Sequence, residues 1–167
     1  KADPKWPLAE AQAITADGEV FRPIAATAGK DGFVRASADM QYCGLYQFAF
    51  APVKPALPAL EVVPDCKHTF AVTLTNLTAA PVKGRLTLRT WLPSLTAPWV
   101  SFTAPAKGKA SVKLSVTARA DLEWGRKTAA LVVDVGGKEA LFWRPVEVLA
   151  APSWEARVSG APGGRVQ

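Results

Sequence analysis

Phe70-Ala71-Val72-Thr73-Leu74-Thr75-Asn76 alternates without a break, with Phe70, Val72 and Leu74 on one side and Ala71, Thr73 and Thr75 on the other. A period of two is the mark of an extended strand with one face in an apolar core. Downstream, Gly84-Arg85-Leu86-Thr87-Leu88-Arg89-Thr90-Trp91 repeats the pattern: Leu86 and Leu88 face in, and Arg85, Thr87, Arg89 and Trp91 face out. Ser111–Thr117 does so again with Val112, Leu114 and Val116 inward and Lys113 and Ser115 outward. Lys127–Val135 and Lys138–Leu149 flank Gly136-Gly137, a pair suited to the positive φ angles of a two-residue hairpin. About seven strands with frequent turns predict an all-β chain, an antiparallel immunoglobulin-like β-sandwich with additional N-terminal strands. The polar face on each strand excludes a parallel sheet covered on both sides.

Upstream of this block, Ile14–Arg22 carries an Asp17-Gly18 turn signal, and Gly29-Lys30-Asp31-Gly32 precedes Phe33–Ala36. In Tyr42–Phe50, Tyr42, Gly44, Tyr46, Phe48 and Phe50 share one face. Pro52, Pro55 and Pro58 follow at intervals of three, the spacing of a stiff polyproline II connector. The expected organisation is therefore N-terminal hairpins over 1–53, forming a partial or accessory sandwich. A Pro-rich linker over 54–60, the sandwich over 61–149, and a Gly/Pro-rich tail with Trp154 over 150–167 complete it.

Composition narrows the function classes. Of 167 residues, 49% are apolar and 20% charged, enough for a core and too balanced for disorder. No apolar run approaches the ~18–20 residues of a membrane-spanning helix. Lys1–Glu10 lacks the apolar stretch of a secretory leader. The net charge of +6 is spread along the chain, with no basic run longer than Arg126-Lys127, so no nucleic-acid partner is expected. Cys43 and Cys66 lie outside any CxxC pair. Two readings stay open: a disulfide contributing about 3 kcal/mol, or two small buried free thiols.

Val62–Val148 resembles the NEW3 and CARDB-like group of bacterial Ig/fibronectin-III-like modules. The matching positions are Val63-Pro64, the strand Phe70-x-Val72-x-Leu74-x-Asn76 and Pro98-Trp99-Val100. They continue with Lys107-Gly108 leading into Val112-x-Leu114-x-Val116, and with Trp124-Gly125. Asp65 stands where that group commonly has glycine, and Trp124 precedes its glycine rather than following one. The resemblance implies an accessory module of an exported, extracytoplasmic protein, found beside glycoside hydrolase or carbohydrate-binding domains, with no catalytic residue to carry over.

The residues point away from catalysis. His68 is the single histidine and no Gly-x-Ser-x-Gly elbow exists, so a serine-hydrolase site lacks its parts. Met40, Cys43, Cys66 and His68 supply soft ligands, one histidine short of a blue-copper set. Asp121 and Glu123 make a thin candidate for a carboxylate or calcium pair in a loop. No cofactor or metal is expected. The six tryptophans carry the functional reading. Trp91, on the outward face with Arg85 and Arg89, and Trp124 are the candidate contacts, either to other domains or subunits or, alternatively, to a polysaccharide. Trp99 and Trp143 are expected in the core. Asn76-Leu77-Thr78 fits a glycosylation sequon that a bacterial source would leave idle.

Overall fold

The structure, a computed structural model, describes residues 5–15, 21–37 and 44–150. The described chain is built of strands. These are β1 (Leu8–Ile14), β2 (Phe21–Pro23), β3 (Ala25–Ala28), β4 (Val34–Ser37), β5 (Leu45–Phe50), β6 (Val53–Ala56) and β7 (Leu60–Val62). They continue with β8 (Cys66–Asn76), β9 (Val82–Thr90), β10 (Leu95–Thr96), β11 (Val100–Ala104), β12 (Lys109–Ala118), β13 (Gly125–Val135) and β14 (Lys138–Val148). A four-stranded sheet, β10-β12-β8-β6, and a five-stranded sheet, β11-β9-β13-β14-β7, form a β-sandwich. β1, β2 and β5 make a third sheet, and β3 and β4 a fourth. All pairings are antiparallel except β14 with β7.

The alternation read from the sequence sets the core. Val72 and Leu74 of β8 and Leu114 and Val116 of β12 meet Leu86 and Leu88 of β9, Leu131 and Val133 of β13, and Phe142 and Val146 of β14. Phe142, Leu74, Leu86, Leu114 and Leu131 are fully buried, each contributing roughly 1.5–3 kcal/mol. Val135 and Lys138 pair across Gly136 and Gly137, whose φ angles of 62° and 83° make the expected two-residue hairpin. Gly84 lies opposite Phe102, and a β-carbon there would stand 2.5 Å from the Asp134 carbonyl and 2.8 Å from the Phe102 ring. Only glycine lets the two strands close at that point.

The Pro-rich segment expected as a linker at 54–60 is instead part of the sandwich. Val53–Ala56 pairs with β8, and Leu60–Val62 runs parallel to the end of β14. Its prolines are compatible with this: Pro55 lies in β6, a sheet edge where a missing N–H need break no ladder, and Pro58 falls between β6 and β7. Val53, Leu60 and Val62 are buried in the common core, so this segment changes sheets while staying packed.

The N-terminal strands attach through polar groups. β1 and β5 pair from Leu8–Phe50 to Ile14–Leu45, placing Gln12 opposite Gln47 and Glu10 opposite Ala49. This face meets the open edge of β14. Gln47 donates from Nε2 to the Leu141 carbonyl at 2.9 Å and accepts from the Trp143 N–H at 3.3 Å. Gln12 Nε2 donates to the Trp143 carbonyl at 3.1 Å and to Gln47 Oε1. Beside them, Arg144 and Glu10 form a two-pronged, largely buried ion pair with both contacts at 2.7 Å. Two glutamine amides thus stand in for a missing neighbouring strand and cap an edge that would otherwise invite pairing.

The Asp17-Gly18 turn lies outside the described residues, although β1 and β2 are antiparallel on either side of it. The Gly29–Gly32 turn joins β3 to β4 as read, with Gly32 N–H donating to the Gly29 carbonyl at 3.0 Å.

Candidate interaction face

β9, β13 and β14 turn one face away from the core, and that face carries the tryptophans. Outward residues of β9 align with β13 as Arg85–Asp134, Thr87–Val132 and Arg89–Ala130, and β14 sets Glu139, Leu141 and Trp143 beside the same three β13 positions. Ala130 and Val132 are nevertheless buried. The register surrounds them with the buried Thr87 and with Arg89, Leu141 and Trp143, larger side chains that flank the small ones.

The charged residues of this face are held in place. Arg85 Nε donates to Asp134 Oδ2 at 2.8 Å, while Asp134 Oδ1 accepts the Gly137 N–H at 2.9 Å. The Arg85 guanidinium lies 4.5 Å from the Trp99 ring centroid. Arg89 forms two parallel bonds to Glu139, both 2.9 Å. Those bonds raise the Arg89 pKa above its ordinary value, chiefly through the hydrogen bond to the carboxylate.

Trp91 and Trp143 stack with centroids 6.5 Å apart and planes inclined by 19°. Trp91 remains 84% exposed. The strand parity explains why Trp143 departs from its expected core position: Phe142 points inward, so Trp143 must point out. Trp99 is likewise partly exposed, under Arg85 rather than in the core. Three tryptophans and two arginines therefore share one face. The sequence signalled Trp91, Arg85 and Arg89; Trp143 could have been read from its parity with Phe142.

Trp124 stands apart. It is 76% exposed just before β13, and among the described residues no ring contact joins it to Trp91. Thr90 lies opposite Ala129, five residues along from Trp124, about 16 Å of extended chain.

Next to the tryptophan face is a groove of about 690 Å³ between β5 and the β13–β14 hairpin. Trp6, Phe48, Phe50 and Trp143 line it with Lys138 and Glu139. The Lys138 ammonium lies 4.1 Å from the centre of the Trp6 ring.

Other candidate residues have structural work. His68 Nε2 accepts the Val63 N–H at 2.9 Å, bracing the turn before β8, and its ring stacks near Phe70. Asn76 of the sequon is buried. Its Nδ2 donates toward the Ala80, Ala104 and Pro105 carbonyls and its Oδ1 accepts from the Thr78 N–H and hydroxyl. Asp121 and Glu123 pair separately with Arg119 and Lys127 on exposed surface. Cys66 is an exposed free thiol, which departs from the buried-thiol reading; Cys43 and Met40 lie outside the described residues. Among the described residues no three His, Cys, Asp or Glu side chains cluster as a metal site, and no helix is long and apolar enough to cross a membrane.

No family model and no curated protein matches the chain. Among solved structures it is similar to a FixG-related protein from Vibrio parahaemolyticus, at 10% identity and a TM-score of 0.46, covering 58% of this chain and 96% of that one. It is also similar to the cupredoxin domain of amoB from Nitrosocaldus yellowstonii, at 15% identity and 0.43, covering 66% and 95%. A third is a family 123 glycoside hydrolase from Clostridium perfringens, at 11% and 0.40, covering 56% and 23%.

Proposed function

We propose that this chain is a non-catalytic, immunoglobulin-like interaction module of an exported bacterial multidomain protein or assembly. It binds another domain or subunit through the outer face of its five-stranded sheet. The observation that carries this reading is Trp91, 84% exposed yet fixed against Trp143, beside two arginines that ion pairs hold in place. Large aromatic side chains and arginines are the usual anchors of protein interfaces. Their fixation here means little rotamer entropy is lost on contact. The non-catalytic part is supported by the engagement of His68 with the backbone and by the separate pairing of Asp121 and Glu123.

Hydroxyl-radical footprinting tests it, comparing the isolated chain with the same chain inside its full-length polypeptide or native assembly. Trp91 is expected to be several-fold protected in the larger particle while Trp124 is labelled equally in both. Equal labelling of Trp91 in the two would reject the interface.

A further inference from the structure

We propose that the groove between β5 and the β13–β14 hairpin is a saccharide-binding site that prefers sugars bearing a carboxylate, such as uronic acids. This goes beyond the interaction face, with which the groove shares Trp143 and Glu139. A volume of about 690 Å³ lies within the ~300–1,000 Å³ of sites that take small ligands.

The chemistry of the walls narrows the occupant. A peptide would bind beside β14 most readily by adding a strand, which needs free backbone donors and acceptors. Here the Leu141 carbonyl and both backbone groups of Trp143 are already bonded to Gln47 and Gln12. Recognition must therefore use rings and side chains. Phe48, Phe50 and Trp143 supply apolar ring surfaces against which the C–H faces of a pyranose can lie, while Trp6, packed on the core and covered by the Lys138 ammonium, forms the wall beside them. Two of these rings are prefixed, Trp143 by its stack on Trp91 and Trp6 by Lys138.

The charge selects the acidic sugar. Glu139 is neutralised by its two bonds to Arg89. Among the described residues Lys138 has no carboxylate partner, and its ammonium stands in the groove wall. Its ammonium already sits at an indole ring, where a uronate stacked on a neighbouring ring brings its carboxylate within reach.

The test is titration of tryptophan fluorescence of the full chain with oligogalacturonate, with neutral cello-oligosaccharide and with poly-glutamate. Saturable quenching by oligogalacturonate, weaker with the neutral sugar, is expected. Phe48→Ala should weaken it about tenfold, and Lys138→Ala up to about fivefold for the acidic sugar alone. Trp143→Ala, at a partly exposed position, provides a second wall variant if Phe48→Ala fails to fold. Trp124→Ala should change nothing. No saturation with either sugar, or binding unaltered by both wall variants, overturns the site. Equal binding of poly-glutamate overturns the saccharide assignment. Equal binding of both sugars with no effect of Lys138→Ala overturns the acidic preference.

Discussion

The sandwich and the N-terminal ribbon of β1 and β5 are held by different forces. Between its two sheets the sandwich buries Phe142, Leu131, Leu114, Leu86 and Leu74, whereas the ribbon adds little more than Ala9 and Ala49 to that core. Its polar attachment is made by two glutamine amides and the Arg144–Glu10 pair on the β14 edge, with Trp6 packed against the core beside them. Apolar burial is non-directional and tolerates repacking. Hydrogen-bonded docking is directional, so it sets the position of the ribbon, and with it the groove, more sharply than it raises stability.

The largest expected effect breaks the sandwich. Phe142→Ala should cost about 3–5 kcal/mol, read as a shift of the denaturation midpoint. Protection from hydrogen exchange should fall in β8 and β13 together. If only β14 lost protection, the two sheets would not share one cooperative core.

A smaller change should separate the regions. Arg144→Leu leaves the Glu10 carboxylate nearly buried without its partner, a loss of about 2–4 kcal/mol, below the range for fully buried pairs because both side chains keep some solvent contact. Exchange protection should be lost in β1 and β5 while β8 and β12 stay protected. Changing Glu10 to Leu as well should recover most of it. Uniform loss across the chain would show that ribbon and sandwich unfold as one.

The smallest effect sharpens the comparison at the β3–β4 turn. Asp31 accepts hydrogen bonds from Arg35 and from the Phe33 N–H, and these lower its pKa, the Arg35 contact most. Because the folded pKa is depressed, the stabilisation is present above the unfolded value of ~3.9 and is lost as pH falls through the folded value. NMR should show the Phe33 and Arg35 amide shifts moving below about pH 4, with β8 and β13 unmoved. An Asp31 side-chain titration at or above the ordinary value would contradict the contact.

How much of this was legible can be judged residue by residue. In β9, the inward Leu86 and Leu88 and outward Arg85 and Arg89, with Trp91 just beyond its end, follow from alternation, because a pleated strand allows no other division. The hairpin at Gly136-Gly137 was equally plain. Trp143 and Trp99 were misplaced because size and apolarity suggested burial, whereas strand parity and stacking on charged neighbours put them outside. The prolines of 54–60 suggested a linker, since nothing local reveals that a sheet edge is waiting for them. Gln12 and Gln47 carry no local signal, being ordinary polar residues 35 positions apart.

Period-two patterning and turn residues are local properties, so the chain's own order of residues dictated strands, turns and inward faces. Which edges meet, and hence that two amides cap β14 and that Trp6, Phe48 and Trp143 line one groove, depends on contacts between distant segments. Such contacts arise when the packed sheets bring those edges together, and no local pattern encodes them.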